Sequence, residues 1–135
     1  MSFRSYFREH ATGFQLLEPR TSLEEVRYAY ESTLDLLQRE PDLVGLFVAG
    51  GGIEGVIRAL REESAFERVF TVGLDLTAET RSGLIDGVLK LVLSHPMQHL
   101  AETVVEAMVR AMERGRPEPA RQMLLPFDVY TPENV

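Results

Sequence analysis

Residues 43 to 77, LVGLFVAGGGIEGVIRALREESAFERVFTVGLDLT, constrain the fold more than any other stretch of the chain. An apolar run, a three-glycine loop, an amphipathic segment and a second apolar run follow one another there. That order reads as strand, turn, helix and strand, with Asp75 just past the second strand's end. In open parallel α/β sheets, ligands bind in the crevice beyond the carboxyl ends of the strands. The loops around Gly50 and Asp75 both belong in that crevice.

The flanking segments extend the same alternation. Phe3, Tyr6, Phe7 and His10 share one face of a short helix. FQLLEP, residues 14 to 19, reads as a strand stopped by Pro19, and Ser22 with Glu25 has the spacing of a capping box. Leu23, Val26, Tyr30, Leu34 and Leu37 then form the buried stripe of a helix that ends before Pro41. LVGLFVA is the nearly continuous apolar run expected of a central strand covered on both faces. A helix carrying Ile53, Val56, Ile57 and Leu60, the strand RVFTVGL, a helix over roughly 78 to 86 and the strand GVLKLVL follow. Pro96 opens a long helix with Leu100, Val104, Met108 and Met112 on its apolar face and Gly115 as its stop. A last strand runs from about Gln122 to Tyr130. The whole predicts one α/β domain over 1–135, with a mostly parallel sheet and helices on both faces.

Composition removes several function classes. A chain of 135 residues, 44% of them hydrophobic, can bury the core of one ordinary domain. The absence of cysteine excludes a disulfide framework, a thiolate nucleophile and a Cys-based zinc site. His95 and His99 are four apart, but HPMQH lacks the glutamate of the HExxH zinc pattern, so no metal is expected. A net charge of -7, with basic residues interleaved among acids, argues against nonspecific nucleic-acid binding. No apolar run of about 18 residues is present for a membrane span, and MSFRSYFREH lacks the apolar core of a signal peptide. A cytoplasmic chain is the expectation, provided Met1 is the true start.

Three candidate sites remain, each with two readings. AGGGIEG could bring backbone amides up to a phosphate at a helix N-terminus, or could be a tight turn that needs positive φ angles. It fits GxGxxG only loosely and lacks the GK[ST] of a P-loop. Asp75 could cap the helix that begins near Thr77, or its carboxylate could accept hydroxyl hydrogen bonds from a polyol. Its place at the strand's carboxyl end favours the second. Ser94, His95 and Gln98 make a third polar cluster, whose structural alternative is again helix capping.

FRSYFREH, PDLVGLFVAGGGIEGVIRALRE, VFTVGLDLTAETRSGLIDG, SHPMQ and the closing LLPFDVYTPENV together carry a resemblance. The chain resembles the C-terminal half of a type I periplasmic-binding-protein fold. More narrowly, it resembles the effector-binding region of LacI/GalR-family transcriptional regulators, over essentially all of its length. The resemblance implies two lobes around a cleft for a sugar or similar small polar effector, in a regulator whose DNA-binding helix-turn-helix is absent from this chain. It implies effector binding without a catalytic group or cofactor. Asp75 matches the aspartate that binds effector hydroxyls in that family. Val48, Ala49 or Gly50 stands where many relatives carry an asparagine or aspartate beside the glycine turn, and Ser94 and His95 stand where sugar binders often have a glutamine before the proline of the last crossover. The first departure removes a polar contact of an ordinary hexose site, and the second is a further departure from the pattern.

The resemblance also implies that the lobe's first strand is missing, leaving a slot between FQLLEP and LVGLFVA. Either these two strands pair directly or another copy supplies an edge, and a homo-oligomer is expected. The alternatives to the regulator are a solute-binding component of a sugar transporter and a small α/β enzyme acting on a phosphorylated metabolite. The enzyme would hold phosphate on the glycine loop and use Asp75 and His95 as acid and base.

Overall fold

The computed structural model describes residues 3–114 and 122–135. In chain order the elements are α1 (Phe3–His10), α2 (Val26–Arg39), β1 (Gly45–Phe47), α3 (Ile53–Glu62) and a 3-10 turn (Ala65–Glu67). They continue with β2 (Phe70–Leu74), α4 (Ala78–Ile85), β3 (Leu91–Ser94), α5 (Met97–Arg114) and β4 (Asp128–Tyr130). The sheet order is β1-β2-β3-β4. The first three strands are parallel and β4 runs antiparallel to β3. The α/β class with a mostly parallel sheet is therefore what the chain adopts, and the carboxyl ends of β1, β2 and β3 share one side of it.

The core lies where α2, α3 and α4 meet the sheet. Strand alternation sends Thr71, Gly73 and Val92 to the buried face, and α3 lays Ile53, Val56, Ile57 and Leu60 on it at helical spacing. Leu60, Leu84, Leu89 and Val92 lose all or nearly all their solvent contact. Each such side chain contributes roughly 1.5–3 kcal/mol relative to an exposed one. Gly73 leaves room for the tip of Ile53, which lies 3.5 Å from where a β-carbon would stand. The opposite face is only partly covered: Phe70 is exposed, and Phe47 is covered in part by the Phe3 ring, stacked at 5.2 Å.

Several local expectations are corrected. FQLLEP forms no strand; Phe14 and Leu16 are exposed, and β1 forms its only described ladder with β2. LVGLFVA is accordingly an edge strand rather than a central one. Among the described residues no strand lies beyond β1, so FQLLEP has no ladder to join, and the two segments do not pair directly.

The Ser22–Glu25 capping box does not form either. Leu23 and Glu24 take φ angles of 52° and 59°, left-handed values that a helix cannot contain, so α2 begins at Val26. The Ser22 hydroxyl instead donates to the Gly51 carbonyl at 3.2 Å. The buried residues of α2 are Ala29, Thr33, Leu36 and Leu37, with Leu23 and Val26 left outside.

The third strand is also shorter than GVLKLVL. Gly87, at φ 70°, opens a turn in which Lys90 Nζ donates to the Gly87 carbonyl at 2.6 Å. Pairing starts only at Leu91. Only Asp128–Tyr130 of the last predicted strand is paired, and the proposed stop at Gly115 lies outside the described residues.

Candidate functional site

Asp75 is the first residue beyond β2, and its backbone is held in the left-handed region at φ 60°. Few residues other than glycine adopt that conformation, though aspartate tolerates it better than most. Four hydrogen bonds over-determine it. The Asp75 amide donates to the Leu93 carbonyl at 2.7 Å, adding one more bond after the β2–β3 ladder. The Asp75 carbonyl accepts from Thr80 Oγ1 at 2.8 Å. Its carboxylate Oδ1 accepts both from the His95 amide, at 3.0 Å, and from the His95 ring Nδ1, at 2.7 Å. A strained residue fixed in this way at a strand's carboxyl end is a frequent mark of a functional site.

The helix-capping reading of Asp75 fails on geometry. Thr77 caps α4: its hydroxyl accepts from the Thr80 amide while the Thr80 hydroxyl accepts from the Thr77 amide, a reciprocal box. The Asp75 carboxylate is thereby left for other partners. Hydrogen bonds from the His95 backbone, then from its ring, hold the carboxyl below the usual aspartate range. An ionised carboxylate only accepts, so the 2.7 Å contact requires a proton on His95 Nδ1. Among the described residues, Asp75 Oδ2 takes no hydrogen bond, and the side chains of Asp75 and His95 are 49% and 60% exposed.

Ser94 is buried and ties the two loops together. Its hydroxyl accepts from the Leu76 amide at 3.3 Å and lies 3.4 Å from the His95 carbonyl, to which it donates. Gln98 turns away, donating to Glu102 one helical turn along at 3.0 Å. Asp75, Ser94 and His95 therefore form one connected unit. Ala49 and Gly50 sit exposed at the end of the neighbouring strand, where Val48 donates to the Val72 carbonyl at 2.9 Å. They offer backbone and open surface, with no polar side chain.

The glycine loop serves packing. Gly52 precedes α3 at φ 84°, and a β-carbon there would stand 2.9 Å from the Ala29 β-carbon. A β-carbon on Gly51 would stand 3.0 Å from that of Glu24, and one on Gly50 3.6 Å from the Glu24 carboxylate. The loop is thus closed against the start of α2 by a carboxylate, which opposes a phosphate at this position. No group of three metal-ligating side chains occurs among the described residues.

One feature escaped the sequence pattern. A cavity of about 430 Å³ lies against the ends of β2 and β3, lined by Leu74, Leu93, Ser94 and His95, by Pro96 and Leu100 at the start of α5, and by Met123 to Phe127 in part. Residues 122–127 read as strand, yet they border this cavity unpaired. Pro126, which cannot donate to a ladder, was the available signal. A shallower groove of about 280 Å³ between α3 and α4 is lined by Glu54, Arg61, Glu79 and Ser82 among others. Arg61 there is paired with Asp86.

No protein-family model matches the sequence, and no curated protein matches it significantly. Solved structures do match the fold. An ABC transporter solute-binding protein from Agrobacterium vitis with bound D-fucose superposes with a TM-score of 0.85 at 20% identity, over 98% of this chain and 45% of its own. A glucose-galactose binding protein from Geobacillus stearothermophilus gives 0.83 at 16% identity, over 98% and 48%. A carbohydrate transporter solute-binding protein from Agrobacterium radiobacter in complex with D-arabinose gives 0.82 at 17%, over 98% and 44%. The chain spans less than half the length of each of these proteins.

The fold is thus that of a periplasmic-binding-protein-like fragment. The expectation of a LacI/GalR regulator's sensing region is corrected, because two of these neighbours are solute-binding proteins of transporters and the third is a glucose-galactose binding protein, and they share the fold that prompted it.

Proposed function

We propose that this chain is one ligand-facing portion of a sugar-binding protein of the transporter solute-binding kind, with Asp75 as its principal hydroxyl acceptor. The observation that carries this reading is the carboxylate at the end of β2, ionised, fixed through Oδ1 by His95 and left with Oδ2 for a ligand. A carboxylate oxygen in a crevice suits the hydroxyl protons of a neutral sugar, because charge-assisted hydrogen bonds are short and directional. His95 is the neighbouring ligand group and Ser94 the residue that holds the two loops in register. Ala49 and Gly50 contribute an open floor at the adjacent strand end. The sugars bound by the structural neighbours support the ligand class, and the role is binding rather than catalysis.

The test is a titration of the isotopically labelled chain with D-fucose, D-galactose and D-arabinose, following amide shifts. Because the chain spans under half of its neighbours, affinity in the millimolar range, about -4 kcal/mol, is the expected scale. Shifts centred on Asp75, Leu76 and His95 that vanish in Asp75→Ala support the assignment. Saturation with all three sugars without movement at these residues rejects it.

A further inference from the structure

The Asp75–His95 pair does not stand in a wholly polar cleft. His95 contacts Asp75 with Nδ1 and at the same time lines the 430 Å³ cavity at the ends of β2 and β3. Of the ten residues that line this cavity, eight carry apolar side chains, among them Leu74, Leu93, Pro96, Leu100, Leu125 and Phe127. The two polar members have limited capacity to receive a hydroxyl. Ser94 already serves the Leu76 amide and the His95 carbonyl, and His95 has given one ring nitrogen to Asp75. On the far side of Asp75, Ala49 and Gly50 present no side-chain donor or acceptor at all.

The volume lies in the range of small-molecule binding sites, roughly 300–1,000 Å³. A fully hydroxylated hexose placed against Asp75 would turn some hydroxyls toward leucine, proline and phenylalanine, where they lose water and gain no partner. A ligand that is polar along one edge and apolar along another leaves no such group stranded.

Resting on the sugar-binding reading of the same site, we infer that the preferred ligand is a deoxy sugar or a similarly amphipathic polyol. Its hydroxyl edge meets Asp75 Oδ2 and the free nitrogen of His95. Its deoxy carbon enters the apolar cavity beside Leu93 and Phe127. Selectivity arises from the cavity and not from additional hydrogen bonds, since a pocket of this chemistry rewards each buried methyl and penalises each unpaired hydroxyl.

D-fucose and D-galactose differ only in a methyl against a hydroxymethyl group at carbon 6, and they separate the inference from the reading beneath it. Affinities for the two are measured on the whole chain from amide shifts at Asp75 and His95. D-fucose is expected to bind more tightly by at least about five-fold, the lower end of what a buried hydroxyl without a partner costs. In Phe127→Ser, which replaces an exposed cavity wall and leaves Asp75 and the core intact, that ratio is expected to fall toward one. Equal affinities in the unaltered chain, or tighter D-galactose, overturn the inference while leaving the sugar-binding reading standing. A preference for D-fucose that Phe127→Ser leaves unchanged overturns the cavity as its source. Absence of binding by either sugar removes the sugar-binding reading, and the inference with it.

Discussion

Gly55 of α3 lies directly beneath Val26 of α2: a β-carbon on Gly55 would stand 2.1 Å from the Val26 carbonyl oxygen. The two helices touch through their backbones there, and the obstacle is a main-chain atom that no rotamer change can move. Gly55→Ala is expected to destabilise the fold by about 2–3 kcal/mol, because the helices must separate and the α2–α3 core loosens. Gly13, with no atom within 4 Å of its would-be β-carbon, is the control. Gly13→Ala should leave the denaturant midpoint unchanged or slightly higher.

Asp75 gives a pair of substitutions with opposite backbone consequences. Asn tolerates the left-handed conformation at φ 60°, whereas alanine adopts it only at a cost of roughly 1–2 kcal/mol. Both lose the charged acceptor for His95. Asp75→Ala is therefore expected to melt below Asp75→Asn, and both should abolish the sugar-dependent shifts. Thermal unfolding followed by circular dichroism checks the order, and equal melting temperatures would count against backbone strain at this position.

The Asp75 carboxyl is also expected to report on His95 through pH. Its folded pKa is depressed, first by the His95 amide and then by the ring. Its contribution to stability is therefore fully present above the ordinary aspartate pKa of about 3.9, and it is lost as pH falls through the lower folded value. A carbon-detected titration of the Asp75 side chain should show a midpoint below that of free aspartate. In His95→Ala the ring contribution disappears and the midpoint should rise, while the backbone contribution remains.

How far the sequence could be read divides along a physical line. The α3 stripe, the α4 helix and the strand ending before Asp75 were legible because apolar periodicity reflects burial, and Ile53, Val56, Ile57 and Leu60 are buried as their spacing predicts. The start of α2 was not. Ser22 and Glu25 have capping-box spacing, but the Ser22 hydroxyl finds the Gly51 carbonyl across the chain, a partner that no local pattern contains. FQLLEP carries a strand's composition, yet a strand exists only where another offers it a ladder. At the site, Asp75 was visible from its position, while its pairing with His95, 20 residues later, depends on β2 and β3 being neighbours.

Leu84 tests the core itself. It is fully buried between α4 and the sheet, in one cluster with Ile57, Leu60 and Leu89. Leu84→Ala removes methyl groups from a site with little freedom to collapse and is expected to cost about 2–5 kcal/mol. A linear denaturant melt with unchanged slope would confirm a loss of packing without a change in the unfolded chain.

The long α5 helix leaves Val104, Val105, Met108, Val109 and Met112 all exposed. Its backbone hydrogen bonds are therefore sheltered mainly by the helix's own turns, without the packing of an apolar face that supplies most of a helix's stability in a protein. Amide hydrogens along α5 should exchange with deuterium through local opening, orders of magnitude faster than those of β2 and α3, which should wait for the whole domain to unfold. The chain would then behave as two cooperative units of unequal lifetime, joined at Pro96, with His95 and the ligand groups at the seam.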